Sequence, residues 1–225
     1  MPSTQPCRRS LRLAGYDYSQ PGAFLVTVCV HRRECLFGGI SHGELIANQI
    51  GKAVIKCWND LPGHFSHLAL DYFTLMPNHI HGIIIIVGAG SPRPWVKPQD
   101  EALQKQVHPP RPAGFQDAGP RLKDPGGETP PLQKTATLGE IMGYFKYQSA
   151  KRINELRGTS GLPVWQRGYY EHVIRSEESL NRIREYIATN PLRWHLDREN
   201  PQAQGEDEFD LWLETFPAKT MGQLG

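Results

Sequence analysis

The sequence predicts an α+β fold, with helices packed on a mostly antiparallel sheet. Three observations carry that reading. Residues 23–30 (AFLVTVCV) and 79–87 (HIHGIIIIV) are apolar and rich in β-branched side chains, the composition of buried strands. Pro77-Asn78 joins the second run to a strand over residues 67–75, a connection tight enough for an antiparallel hairpin. Segments with helical spacing separate the strands, so the order is strand, helix, hairpin, helix, strand, helix.

Taken in order, residues 1–20 form a polar, basic segment with Arg8, Arg9 and Arg12. The first strand follows. Residues 46–61 place Ile46, Ile50, Val54, Ile55 and Trp58 near helical spacing, and Pro62-Gly63 should end that helix. The hairpin comes next. Residues 88–133 are crowded with proline and glycine and show neither a period of two nor one of 3.6, which predicts a disordered insertion. A single core is thus expected from residues 21–87 and 134–200.

In residues 138–156, Leu138, Ile141, Met142, Phe145, Ile153 and Leu156 share one helical side, with Lys146, Lys151 and Arg152 on the other. Residues 164–175 end in a strand-like alternation, and Trp165 reads as a core anchor. Ser176 suits an N-cap, and Glu177 and Glu178 suit the positive end of a helix. Pro191 disfavours helical geometry at the residue before it, so that helix should stop near Asn190. Residues 201–225 read as an acidic, largely disordered tail, in which Phe209, Trp212, Leu213 and Phe216 form a short docking segment or, the preferred reading, pack weakly or not at all.

The chain has 225 residues and a net charge of +2, unevenly spread: −4 over the last 25 residues and +6 over the rest. A modestly basic body suits a polyanionic partner. The four cysteines form no Cys-x-x-Cys pair, so neither a zinc ribbon nor a disulfide framework is expected. No apolar run is long enough to span a membrane and no leader is evident, so a cytoplasmic protein is expected.

The chemistry centres on His79 and His81. Strand side chains alternate faces, so both imidazoles project from one face while Ile80 goes to the other. Two imidazoles on a rigid strand supply half of a divalent-metal site. Far along the chain, Tyr186 and Asn190 are four apart and share a helix face. A tyrosine hydroxyl can act as a covalent nucleophile, and an asparagine offers a neutral oxygen ligand.

Three pieces occur in one order: Met76-Pro77-Asn78-His79-Ile80-His81, Trp165-Gln166-Arg167-Gly168-Tyr169-Tyr170-Glu171-His172, and Tyr186-Ile187-x-x-Asn190-Pro191. Together they resemble the single-tyrosine HUH transposases, and more narrowly the REP-associated tyrosine transposase-like branch. HUH denotes histidine, a bulky hydrophobic residue, histidine, as in His79-Ile80-His81. The likeness covers roughly residues 8–198 apart from the insertion.

This resemblance implies a ferredoxin-like or RRM-like core with the histidine pair on a central strand, usually in a homodimer. It implies Mg²⁺ or Mn²⁺ held by His79, His81 and a polar residue one turn after the tyrosine. That residue is glutamine in many transposases and Asn190 here. It also implies Tyr186 as nucleophile and single-stranded DNA with hairpin or palindromic repeats as substrate, cleaved and rejoined through a 5′-phosphotyrosine. Tyr169 and Tyr170 are the rival nucleophiles. Lys146, Lys151, Arg152, Arg167, His172 and Arg175 are candidate DNA contacts. A histidine-triad nucleotide hydrolase would need a third histidine at position 83, where Ile83 stands. The alternative is a catalytically inactive nucleic-acid-binding module of RRM-like shape.

Overall fold

A computed structural model of the chain describes residues 16–88 and 136–215. The expected insertion, apart from Gly88, lies outside the described residues, as do residues 1–15 and 216–225.

Strand β1 (Gly22–Cys29) leads through a short hairpin, β2 (Gly38–Ser41) and β3 (Glu44–Ala47), into helix α1 (Gln49–Asn59) and one helical turn, α2 (Leu61–His64). Strands β4 (Leu68–Leu75) and β5 (His79–Ile86) form the expected hairpin. Helix α3 (Leu138–Arg157), strand β6 (Tyr170–Ile174) and helix α4 (Glu177–Thr189) follow. A 3-10 stretch (Asn190–Leu196) and helix α5 (Glu208–Glu214) complete the described chain.

The main sheet has the order β4-β5-β1-β6, and every neighbouring pair is antiparallel. With α1 and α3 as crossovers, this is the split βαβ arrangement of ferredoxin-like folds. Strand β5 is interior, so His79 and His81 sit on a strand paired along both edges.

Period-two alternation divides the core into two layers. Phe24, Val26, Val28, Ile80, Ile84 and Ile86 face α1 and α3, together with Trp58 and Phe145. Ala23, Leu25, Ile83 and Ile85 face α4 and α5. All eight residues of β5 are buried, which explains the continuous isoleucine run: both faces need apolar cover.

Gly82 interrupts that run because the Trp58 ring lies against the backbone there, where a Cβ would collide with it. Gly82→Ala should therefore cost about 1–3 kcal/mol by overpacking, measured by urea unfolding. A neutral substitution would show that the ring can shift aside.

Two sequence expectations need correction, and one on the last core helix holds. The first helix begins at Gln49, after an Asn48 cap whose side chain accepts from Gly51 N, because residues 44–47 pair as β3. The helix before Pro191 stops where expected, at Thr189. A proline tolerates the first turn of a new helix, and the chain continues as a 3-10 stretch to Leu196. Residues 208–214 of the tail are an ordered helix, with Phe209 and Leu213 buried in the α4 layer. Phe216 lies outside the described residues.

Candidate functional site

The site lies where β5, the end of α4 and the turn after the 3-10 stretch meet. Leu180, Ile183 and Ile187 seat α4 on the sheet. Arg184 locks the helix in place. Its Nε donates to Asp71 Oδ1 at 2.9 Å and its Nη2 donates to Asp71 Oδ2 at 2.7 Å, within the buried layer. Asp71 stands where the β4–β5 register shifts, between Leu70 and Phe73, an irregularity of the kind that re-aims a side chain. Arg184→Met leaves that carboxylate buried and unpaired, so it should lower stability by about 3 kcal/mol or more. Adding Asp71→Leu should recover much of the loss in the same denaturation assay. No recovery would show that the pair is not what anchors α4.

His79 and His81 are both buried, and their Nε2 atoms are 2.9 Å apart. The surrounding hydrogen bonds orient them. Asn78 Nδ2 donates to the carbonyls of Arg33 (3.1 Å) and Glu199 (2.7 Å), so its Oδ1 faces His79. His79 Nδ1 donates to that oxygen at 2.8 Å, which leaves its Nε2 lone pair aimed into the site. His81 Nδ1 is 2.8 Å from Thr27 Oγ1 on the neighbouring strand. Burial, then the neighbouring His79, lower the His81 pKa to about 4 against the opposing pull of Asp197. His81 is therefore a neutral imidazole at neutral pH, the form that binds metals.

Asp197, at the end of the 3-10 stretch, completes a group of three that could hold a metal ion. Its Oδ2 is 3.5 Å from His79 Nε2 and 4.0 Å from His81 Nε2, beyond good hydrogen-bond length. Its Oδ1 accepts from Glu199 N at 2.7 Å, which fixes the carboxylate. Burial raises its pKa, but the two histidines outweigh that and hold it well below the ordinary carboxylate range. The donors fit a divalent cation: two imidazole nitrogens in near contact beside an anionic oxygen, each fixed from behind.

Tyr186 brings its hydroxyl to 3.2 Å from His81 Nε2. Burial, then Asp197, Asp210 and Asp207, push that hydroxyl well above its usual acidity range, with Arg193 opposing. The ring is 4% exposed and stacks on Phe209, with centroids 3.7 Å apart and planes 11° from parallel. His79, His81, Asp197 and Tyr186 all come from one chain.

The other expected residues fall in several places. Asn190 is buried at the end of α4, and its Oδ1 has no hydrogen-bond partner. Tyr169 and Tyr170 line the same cavity as Tyr186 and His81. Lys146 donates to the carbonyls of Gln166, Arg167 and Gly168 at 2.6–3.3 Å, so it holds the loop before β6 instead of standing free for phosphate. Lys151 and Arg152 are exposed on α3, which packs on the sheet face opposite the histidines. Arg167 and Arg175 are exposed at the two ends of the β6 region. His172 shares the histidine face but lies near Trp212 of α5, 6.5 Å between centroids; burial and Arg175 lower its pKa to about 4. Trp165 is a core residue, donating to Ser149 Oγ at 2.9 Å beside Phe37 and Phe145.

Sequence reasoning missed Asp197. Its place depends on the 3-10 stretch running on past Pro191, and a single aspartate carries no spacing signal.

The fold and site define an α+β protein with a candidate metal centre and a tyrosine beside it. Among known proteins, no family model matches the sequence. An uncharacterized protein of Haemophilus influenzae is 34% identical over 194 residues, which cover 85% of this chain and 92% of that protein. The chain belongs to that protein's family. Two solved structures are similar at low identity. A REP-associated tyrosine transposase bound to a REP hairpin has a TM-score of 0.46 and 13% identity, over 92% of this chain and 90% of the other. A candidate transposase from Deinococcus radiodurans R1 has a TM-score of 0.37 and 14% identity, over 77% of this chain and 92% of the other. Among the described residues, no helix is long and apolar enough to cross a membrane.

Proposed function

We propose that this chain is a transposase-like enzyme that cleaves and rejoins single-stranded, hairpin-bearing DNA through a phosphotyrosine on Tyr186, with Mg²⁺ or Mn²⁺ as cofactor. The observation that carries the reading is the Tyr186 hydroxyl 3.2 Å from His81 Nε2, beside the His79–His81–Asp197 group. A buried tyrosine packs as well with its hydroxyl turned to solvent; this one is turned into a cluster of metal-type ligands.

His79, His81 and Asp197 would hold the cation, with Asn190 Oδ1 as a further oxygen donor from the helix that carries the nucleophile. A divalent ion supplies charge stabilisation at the scissile phosphate, which otherwise repels nucleophiles. Thr27 and Asn78 orient the imidazoles from behind. Tyr186 Oη attacks phosphorus, the bond to the 3′ oxygen breaks, and that oxygen takes up a proton as the tyrosine gives one up. The products are a 5′-phosphotyrosine and a free 3′-hydroxyl. Because the phosphoester is kept, a 3′-hydroxyl of another strand can reverse the step and join DNA. The ligands and the nucleophile lie within one chain, so a homodimer, which the resemblance carries, is not needed to assemble the centre.

One observation favours the rival reading of an inactive binding module: in this conformation Tyr186 is 4% exposed and covered by Phe209. The two readings separate on incubation with single-stranded hairpin DNA and Mn²⁺ or Mg²⁺, run on a denaturing gel. The enzyme reading expects a covalent protein–DNA adduct that chelator abolishes. Binding with no adduct supports the module.

A further inference from the structure

Three segments far apart in the sequence meet behind the histidine pair, and one ion pair ties them together. Asn78 Nδ2 donates to the carbonyls of both Arg33 and Glu199. The side chains of those same two residues pair with each other: Arg33 Nε donates to Glu199 Oε2 at 3.0 Å. Arg33, Asn78 and Glu199 thus close a ring of contacts, and two of the metal-type ligands hang on it. Asn78 Oδ1 accepts from His79 Nδ1, and Glu199 N donates to Asp197 Oδ1. Arg198 adds little to the ring, since its Nε stands 3.8 Å from Glu199 Oε1.

The backbone marks the pair as more than surface charge. Arg32 and Arg33 both have a φ of 57°, left-handed geometry that residues with a Cβ seldom adopt. Such geometry persists where the surroundings determine it, and it clusters at functional sites. Here both flanks of the turn are stitched to the residues before His79. Val30 N donates to Asn78 O at 2.8 Å, and Phe37 N donates to Pro77 O at 3.0 Å. From that turn Arg33 delivers a carbonyl to Asn78 and a guanidinium to Glu199, whose side chain is only 11% exposed. An ordinary surface pair contributes little and needs no such backbone.

The consequence is chemical. An asparagine amide can turn over and present either its oxygen or its NH₂ to a neighbour. With the oxygen toward His79, the ring keeps its proton on Nδ1. With the NH₂ toward it, Nδ1 must accept, the proton moves to Nε2, and that nitrogen is lost as a ligand. We propose that Arg33 and Glu199 are positioning residues of the metal centre: their pair holds the Asn78 amide in the orientation that leaves His79 Nε2 open to the cation, and steadies Asp197 through the Glu199 N–H. This rests on the reading of His79, His81 and Asp197 as that centre.

The test has two readouts, neither of them catalytic. In chelator, the nitrogen NMR shifts of the His79 ring report which nitrogen carries the proton. Wild type should show the Nδ1–H form, and Arg33→Gln and Glu199→Gln should each add a clear Nε2–H population. In calorimetry with Mn²⁺ alone, each variant should bind about tenfold more weakly, the low end for groups that orient a metal ligand. The double variant should lose little more than one single, as members of one pair do. Arg33→Gly relieves the left-handed backbone, so it should melt no lower than Arg33→Gln, yet its Mn²⁺ affinity should fall as far. A merely structural role would move affinity together with the melt. Arg32→Gly, outside the ring of contacts, should keep wild-type affinity. The proposal is overturned if either glutamine variant keeps the wild-type His79 tautomer or the wild-type Mn²⁺ affinity, or if affinity follows melting temperature across the series. Wild type that binds no Mn²⁺ sinks the metal-centre reading and the proposal with it, so wild type alone tells the two failures apart.

Discussion

Tyr186→Phe is expected to abolish the covalent adduct while fold and DNA binding survive. The change removes one oxygen. The ring keeps its stack on Phe209 and its place among Leu180, Ile183 and Ile187. The hydrogen bond to His81 is lost, but His81 keeps its bond to Thr27 and so its orientation. Loss of a covalent nucleophile should lower adduct formation by at least about three orders of magnitude, since no second group takes over its role. Quantifying the shifted band against wild type, with a melting curve as the control for fold, checks this. If the adduct persists, the nucleophile moves to Tyr169 or Tyr170, which line the same cavity.

Removing a metal ligand should have an effect of similar size by a different route. His79→Ala, His81→Ala and Asp197→Ala each delete one of three donors, and each should eliminate both Mn²⁺ binding, read by calorimetry, and the adduct. Thr27→Val gives a graded companion. It keeps the shape of the side chain and removes only the partner of His81 Nδ1, so Mn²⁺ affinity should fall about 10- to 100-fold. Retained Mn²⁺ affinity in Asp197→Ala would instead favour Asn190 as the third donor, as the sequence suggested.

The parts of this site that were legible in the sequence obey short-range periodicities. His79 and His81 share a face because strands alternate, and the hairpin and isoleucine run fix which strand that is. Tyr186 and Asn190 were legible as a helix pair four apart. Asp197 and α5 were not, because no local period marks them. Asp197 reaches the histidines only through a 3-10 stretch beyond a proline that normally ends a helix. Phe209 and Leu213 sit in a stretch whose acidity reads as disorder, and their burial is decided by an apolar surface on α4 far back in the sequence. The placement of the α3 lysines was not legible for a related reason: charge on a helix face is visible in sequence, but which side of the sheet that helix covers is not. The β2–β3 hairpin was absorbed into the following helix because Ile46 happens to fit its spacing, while Asn48 marks the true start.

The most direct test of the central claim is mass-spectrometric mapping of the adduct formed by the full chain with Mn²⁺ and single-stranded hairpins drawn from its own genome. The account expects one modified peptide, a 5′-phosphate ester on Tyr186, together with a released strand ending in a 3′-hydroxyl. Tight binding of those hairpins with no adduct under any divalent metal would contradict it and leave a binding module in its place.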